Sequence, residues 1–593
     1  MKFSEFKYER PDYEKIKVSF DSLIHELKVS NSCKNQLECI NHINHIRNHL
    51  ETMGTLAEIR HSINTKDRYY DEEQNYWDKY SPLYEELDFK FYKELIHSKF
   101  RKKLEEKLGR QFFTLAEFSL KSFSPNIIED LQLENELSSK YTRLLASAKI
   151  TFMGETRNLS ELTPFMQSRD REMRKNASDS KYKFFADHED EIDRIYDNLV
   201  KIRTKIARKL GFENFVKLGY IRMKRSDYNP QMVANFRKQV KKYLVPAASK
   251  LYERQRKRLG LSSLFYYDEN FKFNTGNAIP KGGPEWIVKN AFKMYSELSP
   301  QTGEFFNFML DKNLLDLVTK ENKAGGGYCT YIPDYKTPFI FSNFNGTSGD
   351  VNVLTHETGH AFQSYLSRWI EIPECIFPTY ESCEIHSMSM EFFTWPWMEL
   401  FFSEDADKYR FAHLESAVEF IPYGVTVDEF QHYVYENPEA SPKDRKTAWR
   451  NIEKKYLPHK NYTGCDFLER GCWWFQQSHI FNVPFYYIDY ALAQICALQF
   501  WEKAAVDKNS AWKDYIKICK VGGTKSFLEL EKAAVDKNSA WKDYIKICKV
   551  GGTKSFLELV KLANLKSPFE DGCISSIMKP INNWFNSIDD EKL

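Results

Sequence analysis

His356-Glu357-Thr358-Gly359-His360 is the stretch on which the reading of this chain turns. Two histidines four apart on a helix project from one face, with Cβ atoms about 5–6 Å apart. That suits two imidazole ligands on one Zn²⁺ at about 2.0–2.1 Å. Glu357 is rotated off the histidine stripe, so it faces a metal-bound water rather than the metal. From Asp350 to Arg368 the apolar Val351, Leu354, Ala361, Phe362, Tyr365 and Leu366 recur at helical spacing. His356, His360, Gln363 and Ser367 share the other stripe, as the wall of a cleft requires.

Catalytic zinc takes three protein ligands and leaves one position open. The third ligand therefore comes from a second element. Tyr380–Phe393 contains no Pro or Gly and reads as a buried helix. Glu381, Glu384 and Glu391 share one of its faces, and spacing alone does not choose among them. His386 lies on another face and reads as a core histidine or one that supports a ligand. The flanking Met and aromatic residues argue for burial, and a buried carboxylate needs a partner.

Thr355–Gln363 followed by Glu381–Phe393 resembles the thimet-type oligopeptidases, and among them the bacterial oligoendopeptidase F and Pz-peptidase branch. Pro338–Asp350, Leu210–Asn214, Arg222–Tyr228, Val427–His432 and Val434–Pro438 are similar to further segments of that branch. The resemblance implies one Zn²⁺ per chain, held by His356, His360 and Glu384. Glu391 then orients a ligating imidazole, and Glu381 is the rival ligand. It also implies a mostly α, two-lobed fold around a deep central channel. Short unstructured peptides are the implied substrates, since folded proteins do not enter such a channel.

His479–Tyr490 supplies the remaining chemistry. Tyr487 and Tyr490 are one helical turn apart, so both hydroxyls can point into one space. In the resembled family a His and two Tyr of this segment stabilise the charge that grows on the scissile carbonyl oxygen. The matching residues are His479, Tyr487 and Tyr490, with Tyr486 as the substitute for Tyr487. Glu357 is expected to serve as general base toward the attacking water and then as general acid toward the leaving amine.

Before the metal helix, Gly325–Ile332 and Phe339–Phe344 read as two short strands around a Pro333-Asp334 turn, a small hairpin beside the zinc helix. An exposed edge there suits strand addition by an extended peptide; the alternative is a brace for the helix. Residues 12–150 read as helical, and a second small hairpin is expected around Gly154. His42, His45 and His49 share a helix face, with no acid or Cys to complete a metal site. Gly260–Pro284 is turn-rich and is expected to link helical blocks over the cleft.

At 593 residues the chain exceeds one ordinary core. Residues 1–200 are expected to form an N-terminal helical lobe and 201–593 the catalytic region. Lys+Arg 85 against Asp+Glu 83 leaves a net charge of +2, which argues against nucleic acid as a partner. No apolar run approaches about eighteen residues, which argues against a membrane span. The N-terminus lacks the apolar core of a signal peptide. Eleven scattered cysteines, with no Cys-x-x-Cys, fit free thiols in a reducing cytoplasm.

Glu502–Leu530 and Glu531–Leu559 are identical 29-residue copies, each reading as helix, Gly-Gly turn, helix. One copy is surplus to the resembled family and is expected to loop out or stack as an extra helical pair away from the zinc. Two other functions fit parts of the pattern. One is a zinc carboxypeptidase of similar helical fold; the other is a peptide-binding relative that has lost its chemistry.

Overall fold

The computed structural model describes residues 1–521 and 555–593. It is mostly helical, with two small sheets. The helices that frame the cleft begin with α1 (Cys33–Ile63) and α2 (Arg68–Ile96). Ser32 caps the first by accepting the N–H of Asn35; Asp67 caps the second by accepting from Tyr69 and Tyr70. Such caps satisfy the donors that every helix start leaves open. α3 (Phe215–Arg222) ends in a left-handed Lys224, a conformation more at home on glycine.

The hairpin around Gly154 pairs β1 (Ile150–Phe152) with β2 (Glu155–Arg157). Met153 and Gly154 both take positive φ, as a two-residue hairpin turn requires. The second sheet holds β3 (Leu315–Val318), β4 (Tyr328–Ile332) and β5 (Thr337–Phe344), in the order β3-β5-β4. β4 and β5 are antiparallel, as the sequence suggests. β3 lies parallel to β5 and was not expected, because four residues are too few to show a period. β5 is nearly all buried, whereas β4 is an outer strand, with no further strand beside it among the described residues.

α4 (Gly349–Ser367) carries the His-Glu-x-x-His motif and packs on α5 (Tyr380–Phe393). Gly359 permits this approach: a Cβ there would lie 2.6 Å from the carbonyl oxygen of His386 and from Ser387 Cα. α6 (Ala406–Glu436) and α7 (Tyr487–Val521) complete the surround, α7 being interrupted by a non-helical Asp507. α8 (Phe556–Leu562) and α9 (Cys573–Ser587) pack against α7.

Only parts of the repeat lie within the described residues. The first copy contributes 502–521 to α7, and the second contributes Ser555–Leu559. The expectation for the surplus unit falls on residues outside the description. Trp512 and Tyr515 of the first copy pack on Phe393, and the Tyr515 hydroxyl donates to the carbonyl of His386 at 2.9 Å. The repeat thus buttresses the helix that bears Glu384.

One buried apolar cluster gathers side chains drawn from between Phe20 and Ala116 with Tyr331, Ile370, Cys375 and Ile376. A larger one holds the interior from α4 to α9 together with earlier helices. Residues 260–283 are irregular as expected, but none of them lines the cleft. Their Asp268 is buried and pairs with Arg171 and Arg174 instead.

Candidate metal centre

The motif helix and α5 bring three ligand atoms together. His356, His360 and Glu384 each offer one, all within 4.8 Å of one another. Glu384 Oε2 lies 3.2 Å from His356 Nε2 and 3.3 Å from His360 Nε2. Ligands at about 2.0–2.1 Å around a tetrahedral ion stand about 3.3 Å apart, which the two distances from Glu384 match. Among the described residues this is the single such group of His, Cys, Asp and Glu.

The donor chemistry also asks for a cation. His356 Nδ1 lies 2.7 Å from Glu391 Oε1, so Nδ1–H donates to that carboxylate. Were that ring neutral, its Nε2 lone pair would face another carboxylate, Glu384. Two acceptors do not face each other at 3.2 Å without a proton or a metal between them. Burial opposes the Glu384 carboxylate, but the imidazoles of His360 and His356 outweigh it and hold the group well below its usual range. Burial likewise opposes the His356 imidazolium, yet the hydrogen bonds to Glu384 and Glu391 hold it well above its usual value.

Glu381 is not part of the trio. It is fully buried, and its carboxyl is pushed well above the usual range by burial and by the charges of Asp489 and Asp227. Glu357 sits in the cleft beside the ligands, 5 % exposed, with its carboxyl raised chiefly by burial. Gly327 makes room beside it: a Cβ there would stand 3.4 Å from Glu357 Oε1.

The cleft has a volume of about 700 Å³. Arg47, Glu51, Tyr92, Gln111 and Leu115 line it with the His356 trio, as do Gly325–Gly327, Lys224, His479, Tyr486 and Tyr490. Tyr487 is not among the lining residues; its ring packs on Phe420 and Tyr423. Tyr486 takes that place, and its hydroxyl donates to Glu384 Oε1. The cause is local. Phe485 has a φ of 70°, so Tyr486 lies before the first turn of α7, where helical spacing does not apply. The Phe485 N–H donates to Gln431 Oε1 at 2.7 Å, and its carbonyl accepts from Arg225. Its ring fills the space left by Gly219. These contacts offset a backbone strain of about 1–3 kcal/mol.

A hydrogen-bond chain aims Tyr490. The Tyr423 hydroxyl donates to Gln477 Oε1 at 2.7 Å, which turns the Gln477 amide nitrogen to His479 Nδ1 at 2.8 Å. His479 then carries its proton on Nε2 and donates to the Tyr490 oxygen at 3.2 Å. The Tyr490 O–H is left to donate into the cleft. Burial keeps the His479 imidazole neutral, its pKa pushed down to about 4, and keeps the Tyr486 and Tyr490 phenols protonated. Sequence reasoning missed Gln477, Tyr423, His413 and Trp395, because no spacing rule links residues that meet only through tertiary packing.

No helix among the described residues is long and apolar enough to cross a membrane. Residues 3–123 match the peptidase M3 N-terminal domain, and residues 164–548 match peptidase family M3. Pz peptidase A, solved with an inhibitor, is 55 % identical over 99 % of this chain and 100 % of that one, with a TM-score of 0.94. A structure from Bacillus anthracis str. Ames, provisionally described as an oligoendopeptidase F, is 55 % identical over 100 % of this chain and 99 % of that one, with a TM-score of 0.90. An oligoendopeptidase F homolog of Borreliella burgdorferi is 25 % identical over 380 residues, 62 % of each chain. The chain therefore spans less than two thirds of the length of that curated relative. With well over half of its length matched by the family pattern, the chain belongs to peptidase family M3.

Proposed function

We propose that this chain is a zinc-dependent oligoendopeptidase that cuts short, unstructured peptides internally. Family membership implies a metal cofactor; the convergence of His356, His360 and Glu384 beside Glu357 in one cleft carries the reading further. A Zn²⁺ held by those three residues supplies Lewis-acid polarisation of the scissile carbonyl and acidifies a water toward a pKa of about 7.

The chain's own groups do the rest. Glu357 accepts a proton from the attacking water and returns it to the leaving amine. Its raised carboxyl suits that exchange, because a base is best matched to the proton it carries near the working pH. The free Tyr490 O–H donates to the carbonyl oxygen as negative charge grows there, and Tyr486 joins it in place of Tyr487 when its O–H swings from Glu384 to the substrate. Losing one such donor costs about 10²–10³ in rate. An extended peptide pairs with the outer edge of β4. The N-terminal lobe, residues 1–200, reaches the cleft through Arg47, Glu51 and Tyr92 and confines it to narrow chains.

The test is a quenched peptide blocked at its N-terminus and amidated at its C-terminus, incubated with and without a chelator. Chelator-sensitive internal cuts are expected. Refusal of the amidated peptide with cleavage of its free acid means a carboxypeptidase. Zinc uptake without any turnover means a peptide binder.

A further inference from the structure

The geometry points to His413 and Trp395 as positioning residues that decide which nitrogen of His356 is free for a metal. This inference rests on the metal assignment above and extends it outward by two residues. His413 sits on α6, 6 % exposed, and Trp395 lies just beyond the end of α5. Trp395 Nε1 is 3.1 Å from His413 Nδ1. An indole N–H is a donor and never an acceptor. His413 Nδ1 must therefore accept, and the ring carries its proton on Nε2. That Nε2 stands 2.6 Å from Glu391 Oε2, to which it donates.

The other oxygen of the same carboxylate, Oε1, stands 2.7 Å from His356 Nδ1. Glu391 can accept from both rings only as a carboxylate, and then His356 carries its proton on Nδ1. Nε2, beside Glu384, is then the nitrogen that can give up a proton and turn a lone pair to a metal. The reverse arrangement is closed off. A proton on His413 Nδ1 would meet the indole N–H head on, and Glu391 would lose one of its two donors. Nor is the His413 ring free to turn, because Phe392, Trp395 and Tyr409 pack around it with centroids 4.9, 5.8 and 5.7 Å away. A donor-only group on a buried tryptophan thus sets the tautomer of a ligand three hydrogen bonds away.

Zinc affinity of the metal-stripped full chain, measured by competition with a chromophoric chelator, tests the relay. His413→Leu is expected to weaken Zn²⁺ binding by about 10–100-fold. His413→Gln should bind within a few-fold of wild type, because its amide N–H replaces the donor to Glu391 and its carbonyl accepts from Trp395. Trp395→Phe keeps an aromatic ring and loses only the N–H; it should weaken binding less than His413→Leu. A folded His413→Leu protein with wild-type affinity would overturn the inference. So would a His413→Gln protein no better than the leucine variant, which would leave His413 a packing role alone. Should the leucine variant fail to fold, ¹⁵N-histidine spectra of the wild type decide instead: His413 protonated on Nε2 alone is expected, and a proton on Nδ1 would refute the relay. Wild-type protein that takes up no Zn²⁺ overturns the metal reading itself, and the relay falls with it.

Discussion

Four glutamates on α4 and α5, three buried and Glu391 partly so, are given different tasks by their surroundings. Glu384 is held ionised by two imidazoles, Glu391 bridges two more ring nitrogens, and Glu381 is burdened by neighbouring acids. Glu357 lines the open cleft, and among the described residues no charged group stands at hydrogen-bond distance from it. Glu357→Gln should therefore lower peptide cleavage by about 10²–10⁴-fold while zinc content stays at the wild-type level; cleavage within tenfold of wild type would remove Glu357 from the proton-transfer role. His479 yields a prediction in pH. Its folded pKa of about 4 lies below the unfolded value of about 6.5. The stability it contributes is present above about pH 6.5 and is lost as pH falls toward 4. Thermal midpoints of wild type and His479→Gln should converge or cross as pH drops from 7 to 4, and parallel profiles would contradict a buried neutral imidazole. The helical period made His356, His360 and Glu357 legible, and the resemblance chose Glu384 among three acids. The period did not reveal that Tyr486, set off from α7 by the left-handed Phe485, lines the cleft with Tyr490 while Tyr487 does not. Nothing in the sequence pointed to Trp395 or His413, which meet Glu391 only through tertiary packing.

At the scale of elements, the long periodic segments were the legible ones. The motif helix and Tyr380–Phe393 fall within a residue of their expected bounds, because apolar residues recur through both. β3 and the interruption of α7 at Asp507 depend on partners far along the chain and carry no local signal. The contact of α4 with α5 hangs on Gly359, whose lack of a side chain brings Glu384 within reach of both histidines. The repeat bears on this contact, since Trp512 and Tyr515 brace α5 from behind. The two copies are identical, so removing residues 531–559 leaves the same chain as removing 522–550. Either description keeps α7 through Val521 and keeps Ser555–Leu559 leading into Val560. The shortened protein should hold its fold and cleave peptides at a rate within about twofold of the parent; a folded but inactive product would show that the surplus copy serves the site.

Across the whole molecule, residues from helices near both ends of the chain converge on one cleft. Arg47 and Tyr92 from the first hundred residues share it with Tyr486 and Tyr490, almost four hundred residues later. A buried ion pair between Arg225 and Asp489, 2.7 Å apart, ties the turn after α3 to the helix that carries Tyr490. Such a pair costs several kcal/mol when one partner is removed, which makes the cleft wall a rigid unit. All ten cysteines among the described residues are unpaired, so this rigidity owes nothing to disulfides. The account depends on one cation bound by His356, His360 and Glu384. Its most direct test is the metal content of the intact wild-type chain beside Glu384→Ala and Glu381→Ala. One Zn²⁺ per chain in the wild type and in Glu381→Ala, with loss of the ion from Glu384→Ala, is the predicted result; zinc kept by Glu384→Ala and lost by Glu381→Ala would contradict it.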